Sequence, residues 1–277
     1  MKLIERGSGR PRIAVVGGIH GDEPAGVRIV ERLAETIDTE NCNGTVQLVL
    51  ANEPAIDRGV RYTDTDLNRA FPGDSESDEY ESALATRLVA LLSGADAVLA
   101  LHTSHSAPPP FVIYSNMTDA VRRTITGLPV DYAVDSSELR GTTLDSVVPH
   151  AVSIEVGRQG SDDAVTAGYE AALDFCRVHG VLDDAEPTFT ETDVIVGHEE
   201  VPKGSGEPHV YYRNFEEIPK GEVFARAETY THNVETEGVV PVLASEDGYE
   251  DIFGIYGSYG SPIEPPESES TSASASE

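Results

Sequence analysis

Four side chains carry the chemistry this sequence could perform: His20, Glu23, His102 and Glu155. His20 and Glu23 stand three apart in Gly17-Gly18-Ile19-His20-Gly21-Asp22-Glu23-Pro24, directly behind an apolar run. Two imidazoles and a carboxylate with one position left open make the ligand set of a catalytic zinc, whereas a structural zinc takes four protein ligands, often cysteine. His20 and Glu23 can both turn toward one ion if the loop enters a helix there, and Gly17, Gly18 and Gly21 permit that tight approach. A lone histidine at a strand end is more often a satisfied structural residue than a ligand. The HxxE pair joined by a second strand-end histidine is the stronger signal. Glu155 interrupts the apolar run Val152-Ser153-Ile154-Glu155-Val156-Gly157. It either faces solvent at a sheet edge or is buried, where a carboxylate is costly unless paired or functional. Near a zinc it suits a general base acting on water.

A second cluster is cationic. Arg58, Arg61 and Arg69 fall within twelve residues, RGVRYTDTDLNR, of a chain with only 19 Lys+Arg against 49 Asp+Glu. Ion pairing with Asp57, Asp64 and Asp66 would account for any one of them. The functional reading is recognition of a small anionic substrate, because guanidinium forks match carboxylates, with the Asn68 amide beside Arg69.

These residues need elements that bring them together. Arg12–Gly17, Thr45–Ala51, Ala97–Leu101 and Val152–Val156 are short apolar runs that read as buried strands. Between them, Pro24–Ala34, Asp78–Leu92 and Ser161–His179 carry helical spacing, with Pro24 suited to a first turn and Gly94 and Gly180 placed as stops. Strands alternating with helices imply an α/β fold with a mostly parallel mixed sheet flanked by helices. In such sheets ligands bind beyond the carboxyl ends of the strands, which is where His20, Glu23, His102 and Glu155 fall. After residue 184 the texture changes to short runs split by Gly and Pro: Phe189–Val196, His209–Phe215, Glu222–Arg226 and Val239–Leu243. They predict a smaller C-terminal β-rich domain over 185–261, behind an α/β domain over 1–184, and 262–277 reads as a disordered acidic tail.

The motifs HGDE, DLNR, LHTS and IEVG occur in an order that resembles the succinylglutamate desuccinylase/aspartoacylase family, relatives of the zinc carboxypeptidases. The resemblance runs through roughly residues 12 to 160. It implies one Zn2+ per chain on His20, Glu23 and His102, with Glu155 as the base that activates water and passes the proton to the leaving nitrogen. It implies that Arg61 polarises the scissile carbonyl, that Asn68 and Arg69 hold a substrate carboxylate, and that Tyr249 in the late stretch VLASEDGY contacts substrate. Asp66 is expected to orient its neighbours. There are two departures. Aspartate-specific members resemble one another in a further arginine about ten residues before the base. Here that position is Asp145, with Arg140 and Arg158 the nearest cations. Arg158 itself follows IEVG where relatives often have proline.

The implied function is a zinc-dependent hydrolase cleaving the amide bond of a small N-acyl amino acid. The alternatives are a metallocarboxypeptidase acting on short peptides and a non-catalytic metal- or metabolite-binding protein. A formal net charge of −30 over 277 residues, with only Lys2, Lys203 and Lys220 as lysines, excludes general affinity for nucleic acid or an anionic membrane. It suggests a halophilic setting, where screening suppresses self-repulsion. Cys42 and Cys176 are expected as free thiols, and with no apolar leader the protein is expected to be soluble and cytoplasmic, with a homo-oligomer an open alternative to a monomer. No GxSxG motif is present, which disfavours a serine hydrolase. His105 reads as site rim, and His150, His179, His198, His209 and His232 are scattered.

Overall fold

Along Arg12–Gly17, Ile13 and Val15 pack into one apolar cluster and Ala14 and Val16 into another, all four without exposure. A strand that buries both of its faces belongs inside a sheet covered by helices on either side. In the computed structural model, which describes residues 1–106, 108–139, 141–248 and 252–266, that is its place. In chain order the elements are β1 (Lys2–Gly7), β2 (Arg12–Gly17), α1 (Pro24–Thr36), β3 (Thr45–Leu50), α2 (Glu53–Arg58), α3 (Tyr80–Leu92) and β4 (Ala97–Ser104). There follow β5 (Phe111–Tyr114), α4 (Asp119–Gly127), β6 (Tyr132–Asp135), α5 (Leu144–Val147), β7 (Ala151–Arg158) and α6 (Asp162–Val178). The chain then turns to strands: β8 (Asp193–Pro202), β9 (His209–Val210), β10 (Val223–Ala227), β11 (Tyr230–Asn233), β12 (Val240–Val242) and β13 (Ile252–Tyr259).

Ten strands form one mixed sheet in the order β1-β3-β2-β4-β7-β5-β6-β8-β13-β12. Its centre is parallel, with β2 between β3 and β4 and β4 beside β7. The pairs β1–β3, β5–β7, β8–β13 and β12–β13 are antiparallel. One face is covered by α1, α4 and α6 through Ile29, Leu33, Ile125 and Phe175. The other is covered by α3 and α5 through Leu84, Leu88, Leu92 and Leu144. Fully burying each such side chain is worth about 1.5–3 kcal/mol. Ser161 starts α6 by accepting the Ala164 N–H at 3.1 Å, and Pro24 occupies the first turn of α1.

The fold is the expected α/β arrangement, and β9–β11 form a small antiparallel sheet of their own. The other C-terminal strands do something different: β8 pairs in parallel with β6, and β13 and β12 continue the large sheet from there. Phe111 and Val134 share an apolar cluster with Ile195, Phe215, Val240 and Val242, so the two parts of the chain meet through a packed seam. Ile263, within the segment read as tail, is buried and exchanges backbone hydrogen bonds with Thr192. Cys42 and Cys176 are free thiols, and among the described residues no helix is long and apolar enough to cross a membrane.

Candidate metal centre and substrate pocket

The parallel strands end at one edge, and their carboxyl ends build the site. β2 stops at Gly17, and Gly18 turns the chain with φ +69°, a conformation costly for any side chain bearing a β-carbon. Gly21 passes so close to α2 that a β-carbon there would fall on the Ala55 carbonyl. The backbone is thereby free to carry His20 and Glu23 inward before α1 begins at Pro24. On the next two strands of the sheet, His102 on β4 and Glu155 on β7 are register partners, side by side on neighbouring parallel strands. β5 flanks Glu155 on its other side, with Phe111 opposite it, so this glutamate lies in the sheet interior and not at an edge.

His20, Glu23 and His102 are buried, and their ligand atoms lie within 4.8 Å of one another. His20 Nδ1 is 2.6 Å from Glu23 Oε1, and His102 Nδ1 is 3.3 Å from Glu23 Oε2. The Thr103 N–H also donates to Glu23 Oε2 at 2.9 Å. On the far side of its ring, His20 Nε2 lies 3.1 Å from Asp66 Oδ1, while Asp66 Oδ2 accepts from Arg61 Nε at 3.1 Å. Arg61 Nη1 reaches Glu23 Oε1 at 3.5 Å, and its backbone carbonyl accepts the Gly21 N–H. The metal loop and the arginine loop are therefore fastened through both side chains and backbone.

The charges sort themselves by these contacts. Burial opposes charging of His20, but Glu23 and Asp66 prevail and push it up to about 9. Burial likewise favours a neutral Glu23, yet the two histidines hold its carboxyl far below the usual range, and His20 does the same for Asp66. Glu155 has the opposite balance: burial, seconded by Glu23, pushes its carboxyl up to about 7, and Oε2 has no hydrogen-bond partner among the described residues. Two imidazoles, a carboxylate locked in its charged form and an open side next to Glu155 fit a divalent cation.

Asn68 and Arg69 follow in a one-turn 3-10 helix capped by Asp66. Asn68 Oδ1 accepts the Leu144 N–H at 3.0 Å, and the residue lines the cavity. The loop that carries Arg61, Asn68 and Arg69 hangs on a residue that gives no motif signal. Glu81, in the first turn of α3 and without exposure, accepts from Asn52 Nδ2 (3.0 Å), the Thr63 N–H (2.6 Å) and hydroxyl (2.8 Å), and the N–H groups of Asp64 (3.0 Å) and Thr65 (3.3 Å). Burial raises its pKa, but these donors win and hold it at about 2. Its partners lie 16 to 29 residues away, a separation over which sequence spacing says nothing.

One cavity is lined by His20, Glu23, Arg61, Asn68, Arg69, His102, His105 and Glu155. Asp145 and Ser153 line it too, as do Glu200, Leu243, Ser245, Gly248 and Ile255 from the C-terminal part of the chain. Arg58 is exposed at the end of α2 and Arg158 at the end of β7, so two of the three clustered arginines enter the cavity and Arg158 does not. Tyr249, expected to contact substrate, and Arg140 lie outside the described residues. His150 and His179 bond to Thr118 and Thr124 and are not among the residues that line the cavity.

Comparison with known proteins gives a consistent picture. The profile of the succinylglutamate desuccinylase/aspartoacylase catalytic domain matches residues 9–174. In sequence, the chain is 30% identical over 201 residues to an N-alpha-acetyl-L-2,4-diaminobutyric acid deacetylase of Halomonas elongata, covering 66% of this chain and 58% of that protein. It is 30% identical over 169 residues to an N-acyl-aromatic-L-amino acid amidohydrolase (carboxylate-forming) of Xenopus tropicalis, covering 53% of this chain and 54% of that one. The chain thus spans little more than half the length of these relatives. In structure, a succinylglutamate desuccinylase/aspartoacylase from Rhodobacter sphaeroides superposes with a TM-score of 0.73 at 22% identity, over 93% of this chain and 87% of that one. Murine aminoacylase 3 gives 0.73 at 20% identity, over 93% and 98%. At those identities the structural likeness establishes the fold.

Proposed function

The chain belongs to the succinylglutamate desuccinylase/aspartoacylase family, and from that premise we propose that it is a zinc-dependent amidohydrolase acting on a small N-acyl amino acid. The observation that carries the reading is Glu155: buried, register partner of His102, and holding one carboxylate oxygen without a partner among the described residues. Binding a metal does not require a further carboxylate, whereas abstracting a proton from water does. His20, Glu23 and His102 would hold the cation, which when bound supplies Lewis-acid polarisation of the carbonyl and acidifies water.

The chain's own residues do the rest. Asn68 and Arg69 bind the carboxylate of the amino acid and fix its amide in the cavity. Arg61, held by Asp66, offers its guanidinium to the oxygen on which negative charge develops. Glu155 takes the proton from water and delivers it to the nitrogen as the amide bond breaks, a task suited to a carboxyl pushed up to about 7. The lining by Glu200, Leu243, Ser245, Gly248 and Ile255 walls the cavity from the C-terminal side, which favours a small substrate over a long peptide. The names of the sequence relatives support an acyl amino acid as substrate class. The acidic composition supports work at high salt, and the two free thiols a reducing cytoplasm.

Metal analysis combined with a hydrolysis screen over N-acyl amino acids and short peptides tests the proposal. One zinc per chain and release of acyl groups from the amino acids is the expected result. A folded, zinc-loaded protein that cleaves none of them, or cleaves only peptides, would refute it.

A further inference from the structure

The cavity holds one more buried carboxylate, used neither by the metal group nor by the proton transfer. Asp145, 3% exposed, sits in the first turn of α5 and lines the same cavity as Glu155. Its Oδ2 accepts the Ser115 hydroxyl at 2.7 Å and its Oδ1 the Ser153 hydroxyl at 3.1 Å. Both donors are neutral. Burial raises its pKa, outweighing the hydroxyls, its own backbone N–H and the nearby His102, which favour the charged form, and among the described residues no lysine or arginine pairs with it. The neighbouring residue, Leu144, gives its N–H to Asn68 Oδ1 at 3.0 Å. Asp145 therefore follows directly the residue whose backbone holds the Asn68 side chain, which with Arg69 is proposed to bind a carboxylate. Arg61, Arg69 and the buried Asp145 thus line one cavity, with the apolar Ile113 and Leu139 in its wall.

We infer that this pocket selects an N-acyl amino acid whose side chain carries an ammonium group, with the α-carboxylate on Asn68 and Arg69 and the ammonium on Asp145. A side-chain carboxylate would meet like charge at Asp145, and a neutral side chain would leave the aspartate uncompensated. The acyl part of the inference rests on the deacylase reading; the charge selection does not.

Calorimetry on the metal-depleted chain tests the selection without turnover, using L-2,4-diaminobutyrate, L-2-aminobutyrate and L-aspartate as probes of similar length. Diaminobutyrate is expected to bind roughly 10- to 100-fold tighter than 2-aminobutyrate, with aspartate weakest, since a hydrogen bond to a charged partner is worth that much. Asp145→Asn should shrink the ratio of the first two to within about threefold. The wild-type ratio alone remains a test should the variant melt early. With zinc bound, kcat/KM for the three N-acetyl derivatives should follow the same order. Equal or absent binding of diaminobutyrate, or an unchanged ratio in Asp145→Asn, would overturn the inference. If the binding order holds and no N-acetyl compound is hydrolysed, the deacylase reading fails and the charge selection stands. Hydrolysis of the N-acetyl compounds without preference for the ammonium would overturn the charge selection and leave the deacylase reading standing.

Discussion

Asp66 holds two residues at once, and both matter to the site. Accepting from His20 Nε2 at 3.1 Å, it fixes that ring so that Nδ1 points at Glu23; accepting from Arg61 Nε at 3.1 Å, it fixes the guanidinium. A carboxylate behind a ligating imidazole sets its tautomer and basicity, and losing one costs roughly 10- to 100-fold in metal affinity. Asp66→Ala should therefore weaken zinc binding by about that factor in a chelator competition. Wild-type affinity would show that the His20 ring is held by other means. Glu23 and Glu155 illustrate how neighbouring carboxylates part company. Glu23 is surrounded by His20, His102 and the Thr103 N–H and stays charged, whereas Glu155 keeps an oxygen without a partner among the described residues and can carry a proton.

The arginine loop depends on an element outside it, the first turn of α3. Glu81 gathers five donors from Asn52, Thr63, Asp64 and Thr65, so the segment bearing Arg61, Asn68 and Arg69 is moored to a helix. Its pKa in the folded chain, about 2, lies below the ordinary 4.5. The stability it contributes is thus present above pH 4.5 and is lost as pH falls from there toward 2. Glu81→Gln, which puts an amide NH2 against N–H donors, should cost about 3 kcal/mol at neutral pH and flatten the acid limb of Tm against pH. An unchanged acid limb would place that stability elsewhere. Such a mooring could not be read from the sequence, because Glu81 begins an ordinary helical pattern and its partners are distant. The strands with both faces buried could be read: β2, β3, β4 and β7 are dominated by apolar residues, and the HxxE pair follows directly on one of them. The four-residue strands β5 and β6 were too short to signal themselves beside Pro108, Pro109 and Pro110. That β8, β12 and β13 extend the large sheet was hidden too, since strand texture does not reveal which neighbour a strand will choose.

As a whole the molecule carries a formal charge of −30, and its cavity is lined by two of its few cations, Arg61 and Arg69. The Debye length falls from about 10 Å at 0.1 M salt to about 3 Å at 1 M, so added sodium chloride should relieve self-repulsion and raise Tm. The same screening should speed hydrolysis of acyl amino acids of net negative charge more than of those balanced by a side-chain ammonium. Salt that lowers Tm, or that slows the anionic substrates of a folded sample, would speak against this view of the surface. The walls of the pocket come from both ends of the chain, joined at the Phe111–Phe215–Val240 seam. The C-terminal strands β8 and β13 therefore wall the cavity through Glu200 and Ile255.

The most direct test couples metal content to turnover in one variant. Glu155→Gln preserves the shape of the side chain and leaves His20, Glu23 and His102 untouched. The predicted result is a full zinc complement per chain together with hydrolysis slowed by roughly 10²–10⁴-fold. A Glu155→Gln protein that keeps its zinc and turns over acyl amino acids at nearly the wild-type rate would contradict the assignment of Glu155 as the base.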